Sequence, residues 1–358
     1  MTSVNDQTLP ALGKIHGHFF DRVIRPQLGA ANASILVGPQ NGVDIGVIHL
    51  GNARVMAVTT DPFFVVPDYG WERAGWFAVH ILASDITTSG LAPEYMAIDL
   101  NLPPSMTETD LEQLWETVHN TCTQLGIAVV TGHTGRYQGC NFPMIGGCTL
   151  ISTGHEQAYV AAGMSQVGDA VLITKGAAIE AAGLMAVTFP QRLEQAFGSE
   201  FASGAQEIFW QMSTVKDALT AVRVGVRKQG VTAMHDATEG GVFGGLFELA
   251  QAAGLGMRIE LEKIPVAPEV KDICQLFAMD PYTSISEGTL LLTCTPSSVD
   301  PILAALDAES ITAAQIGICV PGQGVSLVDR GEVRTLDPPR IDPFWEAYAK
   351  AMAAESAS

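Results

Sequence analysis

Acids and glycines stand where this sequence could do chemistry. Residues 234–245 read MHDATEGGVFGG: His235 and Asp236 precede Thr238, Gly240 and Gly241, and the chain then runs into an apolar stretch. A glycine-rich helix start offers backbone N–H groups to a phosphate, and a neighbouring acid suits a metal ion. The same residues also serve a plainer end, a threonine cap with glycines for close packing. Asp44 precedes the apolar run IGVIHL, and Asp61 follows RVMAVTT. On a hairpin both carboxylates stand at the open end, where they share one cation or repel each other; ordinary loop aspartates fit the same spacing. Asp85 lies in AVHILASDITTSG, one turn after Ile81 and Leu82 on the face expected to be buried. A carboxylate there needs a cation or several donors, unless it caps a turn through Thr87 and Thr88.

Two further places hold candidate groups. VVTGHTGRYQG ends an apolar strand in a glycine-flanked loop with Gly132, His133 and Thr134 at its mouth. His133 suits a metal ligand, a phosphate donor, a proton carrier or a hydrogen-bonded structural residue. Lys175-Gly176 in LITKGAAIEAAG sets strand, glycine and helix in an order that receives an anion, without the GxxxxGK[ST] spacing of a P-loop. Lys14, with His16 and His18, forms a basic cluster near the start.

The elements that must position these groups follow from periodicity. Strands are expected at 45–50 and 54–60 around Gly51-Asn52, at 95–102, 127–131 and 144–152. Helices are expected at 71–89 and after the box-like T-E-T-D that begins at Thr107. The texture changes at 154–168, and a second unit opens with the strand 170–174. Helices within 177–229 follow, then strands at 231–235, 257–262, 289–295 and 325–329 alternate with helices at 240–253, 268–277 and 297–308. This is an α/β pattern. The expected organisation is a segment 1–30, a domain 31–155, a domain 165–335 and a tail 336–358 with a short fraying helix.

Bulk composition narrows the function classes. At 358 residues, 47% apolar and 16% charged, the chain can bury sizeable cores. Its 38 acids against 19 bases leave a net charge of −19, which repels nucleic acid and anionic membranes. Six cysteines without a CxxC pair read as reduced, mostly buried thiols and argue against zinc. No signal peptide or membrane-length apolar run stands out, so a cytoplasmic protein is expected.

Taken in order, NGVDIGVI, TTDP, SDITTSGLAP, the TGHT loop, VGDAVLITKG, MHDATEGG and SEG at 286–288 resemble the aminoimidazole-ribonucleotide synthetase (PurM-like) superfamily over roughly residues 13–330. Within it the likeness is strongest to the hydrogenase maturation HypE family and its AIR synthase related relatives. The resemblance implies a two-domain α/β (α+β) fold, with an N-terminal domain that joins a partner's in a dimer barrel and a C-terminal α/β domain. It also implies ATP in the cleft and Mg²⁺ held at Asp44, Asp61 and Asp85. The residues expected to be catalytic are Asp61, Asp85, His133 and Asp236. Lys14, Asp44, Thr60, Gly132, Thr134, Lys175, Gly176, Thr238, Gly240 and Gly241 are expected to bind the nucleotide. The implied partners are a small-molecule or carbamoyl-type substrate, a second copy of the chain and a maturation protein.

The sequence departs from that pattern twice. His133 stands where the relatives carry an acid, so one Mg²⁺ ligand is missing or differently supplied. The HypE family ends in a Pro-Arg-Ile-Cys tail whose cysteine carries the carboxamide, whereas this chain ends AMAAESAS, with no cysteine after Cys319. The expected activity is therefore ATP-dependent phosphorylation of a carbonyl- or amide-type oxygen, without product on the chain's own thiol. A small-molecule phosphate kinase like thiamine-monophosphate kinase, and a nucleotide-binding regulatory partner without turnover, are the alternatives.

Overall fold

The computed structural model describes residues 15, 17–339 and 341–356, so Lys14 and His16 lie outside the described residues. After a helical turn α1 (Gly17–Phe19), the first half builds β1 (Ile35–Val37), β2 (Gly46–Gly51), β3 (Arg54–Phe64), α2 (Trp71–Thr87), β4 (Tyr95–Leu102), α3 (Glu108–Leu125), β5 (Ala128–Arg136) and β6 (Met144–His155). The second half opens with β7 (Ala170–Thr174), α4 (Ile179–Thr188), α5 (Pro190–Phe197), α6 (Ser199–Ala205), α7 (Val215–Val224), β8 (Val231–Ala237) and α8 (Gly241–Ala253). It closes with β9 (Gly256–Glu260), α9 (Pro268–Leu276), β10 (Thr289–Cys294), α10 (Val299–Ala308), β11 (Ala313–Val320), β12 (Gly324–Asp329), β13 (Glu332–Leu336) and α11 (Pro343–Ser356).

The first sheet runs β1-β2-β3-β6-β4-β5. Along β3, Val55, Ala57, Thr59 and Phe63 are buried while Arg54, Thr60 and Pro62 are exposed, the period-two signature of a sheet covered on one face. The cover is α2 and α3, whose Val79, Leu82, Leu114 and Val118 join Val55, Met96 and Leu150 in one core. Thr107 starts α3 as the T-E-T-D spacing predicts. Its hydroxyl accepts the Asp110 N–H at 3.2 Å, and Asp110 accepts the Thr107 N–H at 2.9 Å.

The second sheet runs β13-β12-β9-β11-β7-β10-β8. Every residue of β7, β8 and β10 is buried, as near-continuous apolar strands require when both faces are covered. The alternation of strands and helices suggests parallel pairing, yet in this sheet only β9 with β12 pairs in parallel and the other ladders are antiparallel.

Two strand ends differ from expectation, and two short strands were not expected. β3 continues past Thr60 to Phe64, so Asp61 lies within the strand. Pro62 is tolerated there because β2 has left the ladder by then, and the pairing with β6 shifts register between Pro62 and Phe64. β5 extends to Arg136, which places His133 and Thr134 on a strand. β1 and β13, three and five residues long, are too short to show a period. Among the described residues no helix is long and apolar enough to cross a membrane.

Candidate active site in the interdomain cleft

Asp44 and Asp61 flank the open end of the β2–β3 hairpin, whose last pair on that side is Gly46 with Val58. Thr59 joins this end to α2: its hydroxyl oxygen stands 2.8 Å from the Asp44 carbonyl oxygen and 3.0 Å from Asp85 Oδ2. The helix end is capped through the Asp85 backbone, whose carbonyl accepts the Thr88 hydroxyl at 2.7 Å. The carboxylate is thus left to face the cleft. Burial, then the carboxylates of Asp236, Asp44 and Asp61, push Asp85 well above the ordinary carboxylate range. Its place in the last turn of α2, where the helix dipole is negative, suits a carboxylate only if a cation or proton offsets it.

The second half supplies the opposite wall. β8 carries His235 and Asp236, each 1% exposed. His235 bridges the halves: Nδ1 lies 2.8 Å from Asp44 Oδ2 and Nε2 lies 2.8 Å from Glu248 Oε2 on α8. Burial disfavours the imidazolium, but Asp44 and Glu248 outweigh it and raise His235 well above its ordinary value. Gly42 permits this approach. With φ at +71°, it crosses α8 so closely that a Cβ would stand 2.6 Å from the Glu248 backbone oxygen.

More acids extend the cleft. Glu180, at the start of α4, accepts the Glu287 N–H at 3.0 Å, and burial raises it to about 8. Burial, then Asp236 and Glu180, raise Glu287 well above the carboxylate range. Glu287 is 2% exposed, and its Oε2 has no hydrogen-bond partner among the described residues. Sequence reasoning missed His235, Glu248, Glu180 and Glu287 as site groups. The signals were the His-Asp pair itself, one acid inside the apolar run GLFELAQAAG, and the SEG tripeptide; Glu180 looked like an ordinary acid in a helix's first turn.

At the two glycine turns expected to receive an anion, the N–H groups and the lysine meet partners within the chain. Gly240 donates its N–H to Asp342 Oδ2 at 2.8 Å, Gly241 to the Thr238 carbonyl and Phe243 to the Tyr282 carbonyl. The start of α8 beside Thr238 is therefore largely satisfied from within, because the C-terminal segment folds back over it. The sequence held a signal for this. Pro339-Arg340-Ile341 reads as the expected Pro-Arg-Ile, and Asp342 follows where a cysteine was looked for. Lys175 does not reach for an anion either. Its ammonium donates to Asp217 Oδ1 at 2.6 Å and to the Ser213 carbonyl at 2.9 Å. Gly176 is packed so tightly that a Cβ would stand 2.5 Å from the Pro265 carbonyl oxygen.

The TGHT residues and Thr60 also lie apart from the acids. Thr59 and Asp61 share the helix-covered face of the first sheet, so Thr60 faces the other side and donates to the Cys148 carbonyl at 3.0 Å. His133 pairs with exposed Asp99 on that outer face, and its Nε2 lies 2.6 Å from the Tyr137 hydroxyl. The strand's alternation puts it on the face of the sheet opposite Asp61. Gly132 abuts β4, where a Cβ would stand 2.6 Å from the Ile98 carbonyl oxygen. Thr134 lines a separate cavity of about 330 Å³ with Leu100, Leu111 and Trp115.

Residues 42–152 match the AIR synthase related protein N-terminal domain, and residues 166–330 match its C-terminal domain. The carbamoyl dehydratase HypE of Rhizobium leguminosarum bv. viciae is 28% identical over 264 residues, which cover 72% of this chain and 71% of that protein. The crystal structure of Escherichia coli HypE, a hydrogenase maturation protein, is similar at a TM-score of 0.65 and 25% identity, covering 80% of this chain and 87% of that one. A hydrogenase maturation HypE crystallised in complex with ATP is similar at a TM-score of 0.63 and 21% identity, over 91% and 93% of the two chains.

Proposed function

Because the chain belongs to the AIR synthase related family, we propose that it is an ATP-dependent enzyme that activates an amide- or carbamoyl-type oxygen of its substrate by phosphorylation. One observation carries the reading: Asp44, Asp61 and Asp85 from the first half face Asp236 from the second across one cleft. The donor set fits a hard cation. The groups are carboxylate oxygens, and Asp236, Asp44 and Asp61 lie close enough to Asp85 to push it up, with the buried Glu287 beside Asp236. In this reading Asp61 and Asp85, with Asp44, hold Mg²⁺, which when bound neutralises charge on the transferring phosphate. The buried walls formed by β8 and α2 exclude water from the cleft.

The product does not rest on the five buried thiols of this chain, and the half-buried Cys140 is the one left to test. Burial pushes Cys122 up to about 11 and Cys148, Cys274, Cys294 and Cys319 up to about 12, far from the thiolate that a carrier needs. Asp342, after Pro-Arg-Ile, has no sulfur to offer. The acceptor is then a small molecule or a thiol on a maturation-protein partner.

Two measurements test this. Calorimetry is expected to show Mg²⁺-dependent ATP binding that weakens about tenfold or more in Asp61→Asn and in Asp85→Asn, since each removes a metal-facing charge. Equal affinity with Mg²⁺ and with chelator sinks the metal assignment. Intact-mass analysis after incubation with ATP and a carbamoyl donor is expected to show no adduct; one on any of the six cysteines overturns the acceptor reading.

A further inference from the structure

Asp44, His235 and Asp236 bring two carboxylates and one imidazole to a single point: one ligand atom from each lies within 4.8 Å of the others. We infer that they form a mixed nitrogen–oxygen site for a divalent first-row transition ion such as Mn²⁺ or Co²⁺, with Glu248 as the group that orients His235. The inference rests on the reading of Asp44 as a cation ligand and adds the metal class to it.

Three features of the geometry carry it. At 2.8 Å, His235 Nδ1 and Asp44 Oδ2 need a positive charge between them, either a proton or a metal ion. With a metal ion in place of the proton on Nδ1, the Nε2–H would still donate to Glu248, which holds the ring with Nδ1 towards Asp44. That is the carboxylate–histidine–metal arrangement, in which the outer carboxylate fixes the ring and raises its basicity. Glu287, 2% exposed and close enough to Asp236 to feel its charge, adds a further buried acid beside the same point. Oxygen-only sites suit Mg²⁺, whereas an imidazole nitrogen shifts preference along the series from Mn²⁺ towards Cu²⁺ and Zn²⁺.

The fold around the three residues favours a built site over a chance meeting. His235 and Asp236 are consecutive on a strand buried along its whole length. Asp44 is brought to them by the loop through Gly42, where only glycine fits against the Glu248 backbone.

The test is equilibrium dialysis and pulsed EPR of the full chain with Mn²⁺ and no nucleotide. The expected result is a bound ion showing nitrogen coupling from an imidazole. His235→Gln is expected to abolish that coupling, while Glu248→Gln keeps it but loosens Mn²⁺ about ten- to a hundredfold. Mn²⁺ without nitrogen coupling, coupling that survives His235→Gln, or unchanged affinity in Glu248→Gln overturns the inference. Should His235→Gln fail to fold, the wild-type spectrum and Glu248→Gln still decide. Separate titration with Mg²⁺ and ATP keeps the two readings apart. Intact Mg²⁺-dependent ATP binding without nitrogen coupling defeats this inference alone, and nitrogen coupling without ATP binding defeats the proposed function alone.

Discussion

Glu180, Asp85 and Glu287 all carry pKa values raised first by burial and also by Asp236. The consequence for stability has a definite sign. Glu180 ionises at about 8 in the folded chain against an ordinary 4.5. Between those values the folded state therefore binds more protons than the unfolded one. That contribution to stability is full below about 4.5 and is lost as pH rises through about 8. Urea unfolding of metal-free protein is expected to show stability falling across this window, with a shallower fall in Glu180→Gln. Equal slopes in the two proteins would show that Glu180 is not the group responsible. His133 teaches the complementary lesson. Its residue type suits a metal, but the strand's alternation, and not its chemistry, decides that it meets Tyr137.

At the level of elements, the cleft depends on a loop crossing a helix. Gly42 has φ +71° and no room for a Cβ beside Glu248, whereas Gly29 has φ +81° and nothing within 4 Å. Gly42→Ala combines backbone strain with a backbone clash, and Gly29→Ala carries the strain alone. The first is expected to cost about 1–3 kcal/mol more than the second in denaturant unfolding and to separate Asp44 from His235. Similar costs for both would mean that the loop can shift without consequence. The start of α8 shows how an element's end can be pre-empted. Asp342 takes the Gly240 N–H and, although burial lifts it to about 6, backbone donors from Gly240, Phe344 and Ile285 hold its carboxylate in place.

For the whole molecule, the first sheet poses a question of assembly. Its edge strand β5 exposes Val129 at 43% and Val130 at 56%, and Tyr95 and Met144 are also exposed on this sheet. An open edge with uncovered apolar side chains favours pairing with another copy, and a two-fold homodimer is the proposed state. Light scattering at micromolar concentration is expected to give a dimer, with Val130→Glu shifted towards monomer. A monomeric wild type removes the proposal.

Local signals were legible in the sequence for a physical reason: they act between near neighbours. The Thr107–Asp110 box, the alternation along β3 and the apolar runs of β7 and β10 each depend on residues a few positions apart. The ordered acids at 44, 61, 85 and 236 were legible too, because they sit at or near the ends of such elements. Local pattern carried no information on which groups would meet across the halves. His235 is 191 residues from Asp44, and their contact arises only when the two halves pack, while Glu180, 107 residues from Glu287, meets it only once the second half has folded. Lys175 and the glycine turns looked open because sequence reveals a donor but not the partner that occupies it. Tertiary structure supplied those partners, Asp217 for the lysine and Asp342 for Gly240, since a buried charge or N–H is stable only where such a partner satisfies it.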